Sequence, residues 1–110
     1  MDVRELRLDN LVKRRSKDEI LTVDLKLLAD IQRMPVFFKP IPLTEEWLIK
    51  MGFKYDNISY INKDFYNIVK TRRGFDFGFE YQDYNTPIDY VHQLQNLYHS
   101  LTGSELTIKE

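Results

Sequence analysis

From Phe75 the chain alternates for eight residues, with Phe75, Phe77, Phe79 and Tyr81 on one side and Asp76, Gly78, Glu80 and Gln82 on the other. A period of two marks a strand with one buried face. Two further β segments precede it, ISYI at 58–61 and FYNIVKT at 65–71, with turn residues at Asn62-Lys63-Asp64 and around Arg73-Gly74. Such short turns predict a three-stranded antiparallel meander over 58–84. The period then changes. From Thr86 the residues Tyr90, Val91, Leu94, Leu97, Tyr98 and Leu101 recur at helical spacing, while Asp89, His92, Asn96, His99 and Ser100 fall opposite. Thr86 as N-cap, Pro87 at the first helical position, Asp89 as capping-box acid and Gly103 as stop complete the expected C-terminal helix. Its apolar side is expected to cover the sheet, with Val91, Leu94 and Tyr98 against Phe75, Phe77 and Phe79.

The first half is more broken. Residues 6–8 and 11–15 read as short extended pieces joined at Asp9-Asn10, a pair that tolerates left-handed backbone and makes Asx-turns. After a polar turn at 16–19, residues 20–23 fit a small strand. Thr22 or Asp24 then caps a helix to about Met34, with Val23, Leu27, Leu28 and Ile31 on one side. V-D-L-K-L also alternates, so a strand is the rival there. Three prolines between Pro35 and Pro42 predict a stiff extended connector. A short helix follows, capped by Thr44, with Glu45 and Glu46 in the first turn and Leu43 placed to staple onto Leu48. Gly52 ends it, Phe53 folds back onto Leu48, and Trp47 and Met51 face the core. LTI at 106–108 adds an expected terminal strand. The fold class is therefore α+β: a three-stranded antiparallel meander packed on a C-terminal helix, with short N-terminal strands and two further helices.

Composition narrows the function classes. The 110 residues suit a single domain, 1–110, and 43% hydrophobic content with seven Phe and seven Tyr fits an ordered one. The absence of cysteine removes disulfides and thiolate metal sites and suits a reducing compartment. No apolar run approaches the ~20 residues of a membrane span, and MDVRELRLDN lacks the order of a secretory signal. A complete cytoplasmic protein is the expectation. The formal net charge of −1 argues against a role built on phosphate contacts alone, although Arg4, Arg7, Lys13, Arg14, Arg15 and Lys17 crowd the first 17 residues.

Catalytic readings are weak. His92 and His99 stand seven residues apart, ~10.5 Å of helical rise, too far for two ligands on one metal ion. Asp76 and Glu80 are ~13 Å apart on a strand, longer than glycosidase carboxylate pairs. The serines have no nucleophile-elbow context, and no phosphate-binding glycine loop exists. Neither cofactor nor metal is expected. Phe75, Phe77 and Phe79 beside Arg72 and Arg73 suggest a base-stacking sheet, but the same face is the natural seat of the helix.

Two phrases carry a resemblance. PIPLTEEWLIKMGF at 40–53 and YVHQLQNLYHSLTGSEL at 90–106 resemble small hypothetical proteins of phages and prophages in Bacteroidetes-type bacteria. The N-terminal LRLDNLV is similar to the Leu-Arg-Ile-Gly-Asn-x-Val of those relatives, with Asp9 where the pattern has Gly. The resemblance implies a mobile-element protein inside a bacterial cell, of a kind that binds and blocks a host protein or protein–RNA complex, CRISPR effectors among them. A non-catalytic binding protein is thus the leading expectation. A nucleic-acid-binding accessory protein is the alternative, and a small enzyme a distant third. Partner contact is expected at Arg14, Arg15, Lys17, Arg72 and Arg73, and on the polar helix side at His92, Gln95, Asn96 and His99. Tyr55, Tyr60 and Tyr84 are further candidate anchors, and the basic residues would touch RNA if the target carries it.

Overall fold

The computed structural model describes residues 3–16, 19–55, 59–62, 65–71, 74–77 and 86–108. A 3-10 turn at Val3–Glu5 leads to Asp9, whose φ of 72° is left-handed. Asn10 locks this corner: its Oδ1 accepts from the Arg7 amide at 2.7 Å, and its own N–H donates to the Arg7 carbonyl. Residues 6–8 are a turn and its approach rather than a strand. The next residues form β1 (Leu11–Arg14), paired antiparallel with β2 (Ile20–Thr22). The hairpin is extended past its ends by Asp9 N–H to Val23 O and Val23 N–H to Asn10 O, both 2.8 Å.

The α1 helix (Leu25–Arg33) starts where Asp24 accepts from the Leu27 amide at 2.7 Å. The helical reading prevails over the strand one because one stripe finds a seat. Val23 and Ile31 are buried, and Leu27 and Leu28 pack beside them, against Leu6, Val12 and Phe38. Pro35 departs from the expected extended connector by opening a 3-10 turn, Pro35–Phe37, since its fixed φ also suits the first helical position. Only then does the chain extend, as β3 (Phe38–Lys39), which adds to β1 and gives the small sheet the order β2-β1-β3. Extension continues to Leu43. The Leu43 amide donates to Asp89 O and the Val91 amide to Ile41 O, which tie the proline segment to the start of the last helix.

All terminal signals of α2 (Glu45–Lys50) are realised. Thr44 Oγ1 accepts from the Trp47 amide, and Leu43 and Leu48 are both buried. Gly52, at φ 93°, donates to Ile49 O while Phe53 donates to Leu48 O, the paired bonds of a Schellman closure.

The meander is present and wider than expected. Strands β4 (Lys54–Tyr55), β5 (Tyr60–Asn62), β6 (Phe65–Thr71), β7 (Gly74–Phe77) and β8 (Thr86–Ile88) make an antiparallel sheet in chain order. Thr86 and Pro87 therefore do not start the last helix. They lie in β8, where pairing of Phe75 with Ile88 and Phe77 with Thr86 extends the sheet and buries Ile88. Proline is tolerated there because β8 is an edge strand. The α3 helix (Val91–Thr102) begins after Tyr90, and Gln93 Oε1 reaches back to the Asp89 and Tyr90 amides at 2.9 and 3.1 Å. Gly103, at φ 77°, closes it.

Val91, Leu94 and Tyr98 share the large core with Phe75, Ile68, Trp47, Met51 and Phe53. The Phe77 side chain and Phe79 lie outside the described residues. Leu106 is buried in the same core, although 106–108 forms no strand. The architecture is α+β, with α3 between the five-stranded sheet and β1. Within β1, Leu11 belongs to the large core and Val12 to the small one, so this strand is covered on both faces.

The left-handed corner gives a test. Asp9→Gly removes a Cβ from that conformation and is expected to hold or raise stability by up to ~1 kcal/mol, whereas Asp9→Val costs about 1–2 kcal/mol. Urea midpoints of the two variants check this; a valine variant as stable as the parent contradicts the corner.

Candidate partner-binding surface

The stripe His92, Gln95, Asn96 and His99 was expected to face a partner, and it is largely occupied by the chain itself. His92 and Gln95 are each 1% exposed. Gln95 Oε1 accepts from the Leu11 amide at 2.8 Å, and its Nε2 donates to the carbonyls of Asp9 and Leu106 at 3.2 Å each. Asn96 Oδ1 accepts from Arg7 Nε and Asn10 Nδ2, and Asn96 Nδ2 donates to Glu5 O. Arg7 also reaches Glu105 Oε1 at 2.8 Å, while His99 Nε2 lies 3.8 Å from the same oxygen. His92 Nε2 is 3.1 Å from Glu5 Oε1, and its ring stacks on Tyr90. The physical reason is that backbone groups at the Asp9 corner and at Leu106 need partners, and uncharged amides on α3 supply them. His92 and Gln95 are thus buried in an internal clasp rather than presented to a partner; Asn96, its amide engaged within the chain, and His99 are partly exposed at its edge.

The basic residues fare differently. Arg14 and Arg15 stand at the end of β1, both exposed, whereas Lys17, Arg72 and Arg73 lie outside the described residues. Arg14 lines a groove of about 310 Å³ with Ser16, Leu27, Asp30, Arg33, Met34, Phe37 and Phe38. Arg14 Nε is 3.7 Å from Glu19 Oε2, and Arg33 Nη2 is 3.3 Å from Asp30 Oδ1. Arg15 Nε donates to the Val36 carbonyl at 2.9 Å, and its amide donates to Phe37 O at 2.8 Å. Beside these cations three apolar side chains are left out of the core: Met34, Val36 at 68% exposed and Phe37 at 56%. Arginine, methionine and aromatic side chains in one patch have the composition of a protein interface.

Comparisons with protein-family models, curated proteins and solved structures give no significant match.

Among the described residues no group of three His, Asp or Glu side chains is placed to hold a metal ion, and no helix is long and apolar enough to cross a membrane. Tyr60 is buried against Tyr55 and Phe75, which removes it as an exposed anchor. Tyr55 remains exposed, and Tyr84 lies outside the described residues. Near Tyr60, Lys70 Nζ donates to Glu45 Oε1 at 2.8 Å. That contact and the charge of Lys70 hold the Glu45 carboxyl below its ordinary 4.5. Burial first, then the Glu45 carboxylate, raises the Tyr60 phenol above 10.0.

The sequence offered a signal for each displaced assignment. VHQLQNLYHSLT in α3 contains no charged residue in a chain that is 30% charged, which suits a helix covered on two sides. In MPVFF, only Phe38 is required by the core, which leaves Met34, Val36 and Phe37 as surplus apolar surface.

Two measurements follow from these contacts. Gln95→Ala leaves the Leu11 amide and two carbonyls without their partner and is expected to cost about 3 kcal/mol or more. Leu101→Ala, at a 43% exposed position, should cost less than about 1 kcal/mol; equal midpoints in urea contradict the clasp. Lys70→Met should return Glu45 to near 4.5 in an NMR titration. Because its folded value is depressed, the stabilisation from Glu45 is present above 4.5 and lost as pH falls through the lowered value, so the variant's acid limb should be shallower.

Proposed function

We propose that this chain is a non-catalytic binding protein of the bacterial cytoplasm that engages a partner protein through the groove between the β1–β2 hairpin, α1 and the turn at Pro35–Phe37. The observation that carries the reading is the convergence of Arg14 and Arg33 with exposed Met34 and Phe37 around one cavity, with Arg15 and the exposed Val36 beside Phe37. Interfaces draw their energy from a few such anchors, with surrounding charges tuning the encounter rate. The resemblance to phage and prophage proteins points the same way, toward a host protein or ribonucleoprotein such as a CRISPR effector as target.

The nucleic-acid alternative has less support. The groove between Arg14 and Arg33 is lined mainly by Leu27, Met34, Phe37 and Phe38, apolar side chains that a phosphate backbone would not contact.

Capture from a bacterial host with the tagged protein as bait, after nuclease treatment, tests the proposal. A stoichiometric protein partner is expected, lost with Arg15→Glu plus Phe37→Ser and retained with Tyr55→Ala. Retention by the groove variant, or nucleic acid as the sole captured species with a steep salt dependence, contradicts it.

A further inference from the structure

The groove lining combines the apolar side chains of Leu27, Met34, Phe37 and Phe38 with Arg14, Arg33 and Asp30. Arg14 Nε lies toward Glu19, Arg33 Nη2 toward Asp30, and Arg15 Nε donates to the Val36 carbonyl. A guanidinium carries five N–H donors in a planar fork, and its strong partner is a carboxylate held by two of them. The Glu19 and Asp30 contacts, at 3.7 and 3.3 Å, are longer than the ~2.7–2.9 Å of a close charge-assisted bond. Contacts of that length are weak, so these two guanidiniums can exchange them for closer ones.

The Arg15 contact has a second effect. By holding the Val36 carbonyl it fixes a cation beside the exposed Val36 and Phe37 side chains. Charge and apolar surface are thus presented together. The volume of about 310 Å³ is at the low end of small-molecule sites, ~300–1,000 Å³, and suits one or two side chains.

We infer that the groove takes a segment of a partner protein in which carboxylate side chains flank a large apolar one, the apolar side chain seated against Leu27, Met34 and Phe37 and the carboxylates on the arginines. This inference rests on the protein-binding reading and adds the chemistry of the occupant. A positively charged segment is disfavoured by the same arginines, and a purely apolar one offers the guanidiniums nothing closer than their present contacts.

Fluorescence anisotropy with labelled peptides tests it on the full-length chain. The probe is a designed peptide of alternating Glu and Asp around one Phe and one Leu; its counterparts replace every acid by the amide, or Phe and Leu by Ala. The acidic apolar peptide is expected to bind, and both counterparts to bind at least about tenfold more weakly. Arg14→Ala and Phe37→Ser should each weaken the acidic peptide about tenfold with unchanged circular dichroism. Equal binding of acidic and amide peptides overturns the acidic occupant and leaves the groove as a docking site. If no peptide binds and groove variants still capture the same host partner, both readings fall. Displacement of the peptide by a single-stranded oligonucleotide, with no effect of Phe37→Ser, assigns the arginines to phosphate and overturns the inference.

Discussion

One buried carboxamide joins the parts of this fold. Gln95 meets the Leu11 amide at the head of β1, the Asp9 carbonyl at the left-handed corner and the Leu106 carbonyl beyond α3. Each of those backbone groups lies where regular pairing stops, and an unpaired buried polar group costs as much as a lost hydrogen bond. The small sheet therefore reaches the large core by more than apolar contact. Arg7 and Asn96 repeat the arrangement at the next residue of the helix, binding the 5–10 segment and Glu105 to it.

That use of α3 shifts the question of function to another part of the molecule. A helix engaged with the sheet through Leu94 and with the N-terminal segment through Gln95 has little side left for a partner. The groove stands instead over the small core of Val12, Ile31 and Phe38, where α1 ends and the proline turn begins. Leu11 and Val12, adjacent on β1, link the two regions, because one faces the large core and the other the small. The clasp thus steadies the sheet on which the groove is built.

Legibility followed the range of the interactions. The α2 helix could be read fully because Thr44, Leu43, Gly52 and Phe53 act within one turn of its ends. Asp24 did the same for α1. Thr86 and Pro87 misled because they carry equally good local signals, and pairing with Phe77 and Asp76 across the sheet overrode them. The polar stripe on α3 misled for a related reason. Periodicity separates apolar from polar sides but cannot tell a solvent-facing amide from one that pairs with backbone 84 residues away. At the site, the Arg14-Arg15 pair was visible as charge, whereas Met34, Val36 and Phe37 became notable only when the core proved to need Phe38 alone among them.

Native-state hydrogen exchange at the Leu11 amide tests the clasp most directly. Its acceptor is a side chain on α3, so the account predicts exchange only through global unfolding, at the rate of the Phe53 amide in the Schellman closure. Exchange of Leu11 on the timescale of a solvent-exposed turn, with Phe53 still protected, would show that the polar side of α3 is open and contradict the account.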